Sequence, residues 1–292
     1  MSINFNYTEA SLERFFGYLN ERHIIYLRRK NGVAYPWTSD PILTEYSFCN
    51  VYRELDKVTE WIRVNWREPY AHHRNLPFAM AVARQINWPD TLEEIGFPET
   101  WEPETWEPEK VKAIMQARKD RGDKVYTGAY MLTGTLGGTK IEQTIDKILT
   151  PLYKNHPPMI TWSLEDTWKG YLQKAGFSGF MAYEVVTDLR HTKYLNKAED
   201  IMTWANPGPG AQRGLNRIKN RELNQTVKNH MLNFEMQQLL DLSPNYLQGH
   251  MEPLEMRDIE HCLCEFDKYE RVRLGQGRPR AKYKPKPEEA NL

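Results

Sequence analysis

Periodicity constrains this chain more than any other feature: apolar residues recur every three or four positions through most of its length, and no run alternates in the manner of a half-buried strand. Over residues 9–31, Leu12, Phe15, Phe16 and Leu19 fall on one helical face, with Gly32 as the stop. A second helix is expected over 47–66, where Val51, Leu55, Val58 and Ile62 make one apolar stripe and Asn50, Arg53 and Lys57 project together beside it. Further helices are expected over 76–85, 110–121, 142–153, 164–175, 177–189, 211–220, 224–240 and 253–272. The first of these is closed by Asn87-Trp88-Pro89, because proline disfavours the helical conformation in the residue before it. The fold class is therefore mainly α, with strands confined to short ribbons. Residues 1–274 read as one helical domain, in a single body or two joined lobes, and 275–292 as a basic Pro/Gly-rich arm that orders on a partner.

Charge and cysteine content remove several function classes. The 292 residues carry 39 basic and 39 acidic side chains, so the chain does not coat nucleic acid by bulk charge, and any such site must be local. Such a local excess runs from Lys268 to Lys286, where eight basic residues face Glu270 alone; it suits phosphate contacts, or equally a solvated tail. Only Cys49, Cys262 and Cys264 are present, which excludes a disulfide framework and reads as reduced thiols of a cytoplasmic protein. Neither Cys262-x-Cys264 nor His72-His73 has partners at metal-ligand spacing, so no metal is expected. Secretion and membrane insertion are not expected either, since the N-terminus lacks a basic and apolar leader pattern and no apolar run approaches ~20 residues.

Three segments carry residues suited to chemistry. Asn206-Pro207-Gly208-Pro209-Gly210-Ala211 is a tight turn opening a helix, where free N–H groups favour an anion; Arg213 and Arg217 follow within two turns, and the alternative is a plain helix start. Glu184 and Asp188 are four apart on one helix, placed either to split into an acid and a base or to be salt-bridged, for instance to Arg190. Over 256–271, Ile259, Leu263 and Phe266 form a core stripe, with Asp258, Glu265 and Tyr269 at its edge. Edge carboxylates there are either half-buried and tuned for proton transfer or part of a solvated face. Nine Trp and sixteen Tyr supply core material and stacking platforms alike. Gly134-Thr135-Leu136-Gly137-Gly138-Thr139-Lys140 lacks the spacing of a nucleotide-hydrolysing loop, and no zinc-deaminase signature is present.

Read together, the runs 48–56, Arg74-Asn75-Leu76-Pro77-Phe78, Thr127-Gly128-Ala129-Tyr130-Met131, the helix from Tyr183 to Arg190, Gly208 to Leu215 and Leu263 to Tyr269 resemble the alpha-glutamyl/putrescinyl thymine pyrophosphorylases. These are amino acid:DNA transferases of phage-type thymine hypermodification, and the likeness spans nearly the whole chain. A related helical module is attached to 5-hydroxymethyluracil DNA kinases. The resemblance implies a helix-hairpin-helix, DNA-glycosylase-like helical fold in which the Gly208–Gly210 turn, Arg213 and Arg217 grip DNA phosphate. Where such glycosylases carry an essential Asp beyond the hairpin, this chain reads Lys228-Asn229-His230, so substitution at the base's 5-methylene is expected in place of base excision.

The implied reaction replaces the pyrophosphate of pyrophosphorylated 5-hydroxymethyluracil in double-stranded DNA with an amine from an amino acid or polyamine, on an extruded base in an infected host's cytoplasm. Expected contacts to substrate and pyrophosphate are Asn50, Arg53, Arg84, Tyr130, Tyr183, Arg190, Lys268 and Tyr269, and Glu184, Asp188, Glu265 and Asp267 are the expected catalytic carboxylates. No cofactor is expected; a 5-hydroxymethyluracil DNA kinase is a possible partner. The rival readings are a glycosylase acting on a modified base and a non-catalytic DNA-binding module serving that kinase.

Overall fold

The computed structural model describes residues 7–99, 106–128, 137–158 and 160–285. Along the chain lie α1 (Glu9–Lys30), α2 (Pro41–Glu45), α3 (Lys57–Ile62), α4 (Leu76–Ile86), α5 (Pro89–Ile95), α6 (Pro108–Asp120), α7 (Lys140–Glu142), α8 (Thr150–Lys154), α9 (Leu164–Leu172), α10 (Gly179–Arg190), α11 (Pro209–Ile218), α12 (Asn229–Leu242) and α13 (Met256–Arg273). Among the described residues the sole β-type pairing is one antiparallel bridge between Tyr46 and Lys282, so the fold is mainly α as the periodicity predicts. No described helix is long and apolar enough to cross a membrane. The chain forms two compact units, one from Met1–Asp56 with Met202–Leu292, the other from Lys57–Ile201.

In the first unit, the Thr8 hydroxyl caps α1 by accepting from the Ser11 amide. The predicted apolar face follows, and Phe15 meets Phe266 of α13 edge to face at 5.4 Å. Helices α11 and α13 pack at unusually close range because α11 carries glycine where the two backbones meet. A Cβ on Gly214 would lie 2.3 Å from the Leu263 carbonyl oxygen, and one on Gly210 would lie 2.8 Å from Cys264 Sγ. These two glycines, four apart on one face, are helix-packing positions.

In the second unit, every residue of α4 is buried. Ala79, Ala81 and Ala83 keep it slim enough to be surrounded, and it ends where Asn87 turns into the left-handed region at φ 50°. Helix α10 packs on α4, started by the Ser178 hydroxyl, which accepts from the Met181 amide.

Two expectations are corrected. The predicted helix over 47–66 exists only from Lys57, continuing as a wider π-type turn over Arg63–Arg67. Residues 47–56 instead hold only a short 3-10 turn at Arg53–Leu55, because side chains capture the backbone: the Asn50 amide donates to the Leu55 carbonyl, and the Asp56 carboxylate accepts from the Asn50 N–H at 2.9 Å. Asn50, Arg53 and Lys57 consequently share no helix face. The described part of the basic arm is likewise held: the Ser47 N–H donates to the Ala281 carbonyl, the Tyr283 N–H donates to the Glu45 carbonyl, Lys282 pairs with Glu45 at 2.7 Å, and Tyr283 stacks on Tyr35 and meets Trp37 edge-on.

Candidate functional site

The carboxylates predicted on α10 are both buried in the second unit, facing α4. Asp188 takes Arg84 in a two-point grip, Nε to Oδ2 at 2.6 Å and Nη2 to Oδ1 at 2.7 Å. Arg67, from the turn that extends α3, donates to Asp188 at 3.3 Å, and Glu184 lies 3.8 Å from Arg84 Nη1. Thr59 and Asn87 accept the remaining Arg84 donors. The side chains of Arg84 and Asp188 are 3% and 1% exposed, which makes this a closed cluster in which two guanidiniums meet two carboxylates. Tyr183 is buried in the same helix, and Arg190 stands half-buried on its last turn.

A second cluster, in the first unit, carries a surplus of positive charge. The fully buried Asp267 on α13 accepts from Arg213 Nε at 2.9 Å and from Arg217 Nε at 2.8 Å, while Arg271 Nε stands 3.6 Å away. Three guanidiniums thus face one carboxylate among the described residues. Arg217 Nη2 and Arg271 Nε are buried and make no hydrogen bond among the described residues, and the Arg213 and Arg271 side chains keep about a third of their surface exposed, at 31% and 36%. At the start of α11 the Gly208 N–H faces Glu260 Oε1 at 3.5 Å, so a protein carboxylate already sits near that positive helix end. The turn is entered from an irregular stretch, with no helix between Arg190 and Pro209.

The third grouping is built where the irregular run 48–56 lies along α13. Glu265 Oε2 accepts from the Cys49 N–H at 2.8 Å and from Lys268 at 2.6 Å, and Lys268 also sits over the Phe48 ring. Tyr18 and Arg22, one turn apart on α1, approach from the other side. Arg22 Nη2 donates to the Phe48 carbonyl and to Asn50 Oδ1, whereas Arg22 Nη1 and the Tyr18 hydroxyl are buried without a hydrogen-bond partner among the described residues. Arg53 is paired with Asp56 at 2.5 Å. The Tyr269 hydroxyl donates to Asp40 at 2.7 Å, which raises its pKa together with the larger effect of burial. At the start of α13, burial pushes the Asp258 carboxyl up to about 7 although it accepts the Glu255 N–H.

These groupings lie almost wholly inside the span of one known family. The family model of the helical domain of 5-hmdU DNA kinase matches residues 9–278. The chain belongs to that family. The 5-hmdU DNA kinase of Bacillus phage SP10 is 29% identical over 289 residues, covering 88% of this chain and 44% of the phage protein. This helical-domain chain therefore spans less than half the length of that relative. No solved structure matches it.

Within this helical-domain family member, the structure brings some of the sequence-marked side chains together and leaves others apart. Tyr130 lies outside the described residues. The Glu184–Asp188 pair shares a face, but its arginines are Arg84 and Arg67, and Arg67 had no signal in the sequence because its partner lies 121 positions away. Asp267, expected as a catalytic group, has both oxygens engaged by Arg213 and Arg217. Arg271 was marked only within the basic excess from Lys268 to Lys286, and Tyr18, Arg22, Asp56, Glu260 and His261 were not proposed as site residues. Of these, Tyr18 and Arg22 left a trace, as a pair four apart on α1.

Proposed function

We propose that this chain acts in thymine hypermodification of DNA, as a transferase that exchanges the pyrophosphate of pyrophosphorylated 5-hydroxymethyluracil for an amine. The observation that carries the reading is the surplus of arginine around Asp267: one carboxylate aligns Arg213 and Arg217, and the uncompensated charge is available to a phosphate-bearing ligand. Membership of the 5-hmdU DNA kinase helical-domain family supports the substrate class.

In the proposed step the amine nitrogen attacks the 5-methylene carbon as the carbon–oxygen bond to pyrophosphate breaks. The bond's electron pair leaves with pyrophosphate, and a carboxylate takes the amine proton. Glu265 is the proposed acceptor, because it is held by Cys49 and Lys268 without being closed off. Asp267 and Asp188 position arginines. The Gly208 turn with Arg213 is the proposed grip on the DNA backbone, in the manner of a helix-hairpin-helix.

The test incubates the protein with duplex DNA containing pyrophosphorylated 5-hydroxymethyluracil and a panel of amino acids and polyamines, then digests the DNA and weighs the nucleosides. One amine should give a nucleoside of the substituted mass with release of pyrophosphate. An unchanged base with every amine overturns the transferase reading, and alkali-labile abasic sites would indicate a glycosylase. A second reading, a DNA-binding module serving a kinase, is favoured by the share of the phage kinase that this chain spans. It predicts that Glu265→Gln leaves base modification intact when that kinase is supplied.

A further inference from the structure

We propose that Cys49, Asp56 and His261 bind a divalent cation of the zinc class in the first unit, with one coordination position left open. Cys49 Sγ, a carboxylate oxygen of Asp56 and a ring nitrogen of His261 all lie within 4.8 Å of one another. Tetrahedral zinc, with bonds of about 2.0–2.3 Å, places its ligand atoms roughly 3.3–3.8 Å apart, so the trio closes on an ion by a shift of about 1 Å. Sulfur, nitrogen and one carboxylate oxygen suit zinc and disfavour calcium or magnesium, which take oxygen alone.

The surrounding groups are arranged as supports for such a centre. His261 Nε2 is 3.2 Å from the Asn50 carbonyl, a contact of the kind that fixes the tautomer of a ligating histidine. The same Asn50 orients Asp56, through its N–H at 2.9 Å and its amide at 3.1 Å, and is itself held by Arg22. Cys49 is fixed through its N–H by Glu265. Arg53 Nη1 takes one lone pair of Asp56 Oδ2 and leaves the carboxylate further acceptor capacity. The hydroxyl of the buried Tyr18 has no hydrogen-bond partner among the described residues, and burial first, then Glu265 and Cys49, raise its pKa.

Binding displaces the Cys49 thiol proton to solvent, and the thiolate takes the ion. Three protein ligands with a vacant fourth position is the arrangement zinc takes where it binds water or a substrate oxygen. This inference does not depend on the amine-transfer reading.

The test strips the full chain with chelator, equilibrates it with zinc or cobalt(II), removes free metal by gel filtration and measures metal per chain. One equivalent of zinc is expected, and the cobalt form should show a near-ultraviolet thiolate-to-cobalt band. Cys49→Ser should abolish the band and His261→Ala should lower the stoichiometry at least tenfold at micromolar zinc, while Cys264→Ser, outside the trio, retains both. Should those variants fail to fold, the unaltered chain decides: zinc must protect Cys49 from alkylation as read by peptide mass. A wild-type chain that emerges without stoichiometric zinc, or whose Cys49 is alkylated equally with and without zinc, overturns the proposal.

Discussion

The two arginine–carboxylate clusters differ in charge balance and in access. Around Asp188, Arg84 and Arg67 meet Asp188 and Glu184 in a site almost without exposed surface. Around Asp267, three arginines share one carboxylate, and two of them are partly open to solvent. A balanced, closed cluster spends its electrostatics on itself, since each charge taken from water is compensated inside the fold. A surplus at an accessible edge is stable only because solvent or a ligand shares it, and so it can discriminate for an anion. The first reads as fold specification, the second as recognition.

The largest effect should come from breaking the closed cluster. Asp188→Ala leaves Arg84 and Arg67 buried with one acid between them, and unpairing a buried ion costs about 3–5 kcal/mol. Urea denaturation of the second unit should shift accordingly, and Arg84→Met combined with Asp188→Leu should recover much of the loss. If Asp188→Ala unfolds at the wild-type midpoint, the cluster contributes nothing to the fold and the contrast with Asp267 fails.

Next come the glycines that bring α11 onto α13. Gly214→Ala drives a methyl group against the Leu263 carbonyl and should cost about 1–3 kcal/mol, as overpacking generally does. Gly208→Ala, with open space around its Cα, should leave the melting temperature near the wild-type value. Equal effects would show that the α11–α13 contact relaxes freely, in which case the spacing of the arginines on α11 is not set by that packing.

How much of this was readable from sequence follows the same division. Helices whose apolar faces repeat locally, such as α1, α4 and α10, were legible because their evidence lies within one turn or two. The run 47–56 misled because Val51 and Leu55 continue the stripe of α3, while Asn50 and Asp56 trade backbone partners that periodicity does not register. The pairing of Glu45 and Ser47 with the C-terminal arm is a contact across most of the chain and left no local pattern. The Asp267 cluster was half legible: Arg213 and Arg217 were marked as a pair, but not the acid that aligns them. Cys49, Asp56 and His261 could not be assembled at all, because ligand spacing rules recognise neighbours on one element and His261 comes from another end of the chain.

A smaller effect should appear in DNA binding. Arg213→Gln removes one exposed cation while Asp267 keeps Arg217, so stability should hold and affinity for duplex DNA should fall about tenfold, roughly 1.4 kcal/mol. The slope of log affinity against log salt should decrease by about 0.9, the value for one lost phosphate contact. Thr59→Ala, in the closed cluster, should leave that slope unchanged. A slope unaltered by Arg213→Gln would place DNA contacts elsewhere.

The smallest effect concerns a carboxylate with neither balance. Asp258 is half-buried at the start of α13, accepts the Glu255 N–H, and has its pKa raised to about 7, chiefly by burial. Because the folded chain holds this proton more tightly than the unfolded one, its contribution to stability is fully present below the ordinary carboxylate range and is lost as pH rises from about 4 through 7. Discounted for its partial exposure, the change should be about 1 kcal/mol. Denaturant midpoints of the wild type and Asp258→Asn, measured from pH 4 to 8, should diverge over that window and run parallel above it. A wild type that gains stability relative to the variant as pH rises would mean that the charged form of Asp258 is the one the fold favours. The start of α13 would then hold a compensating cation and belong with the balanced cluster around Asp188.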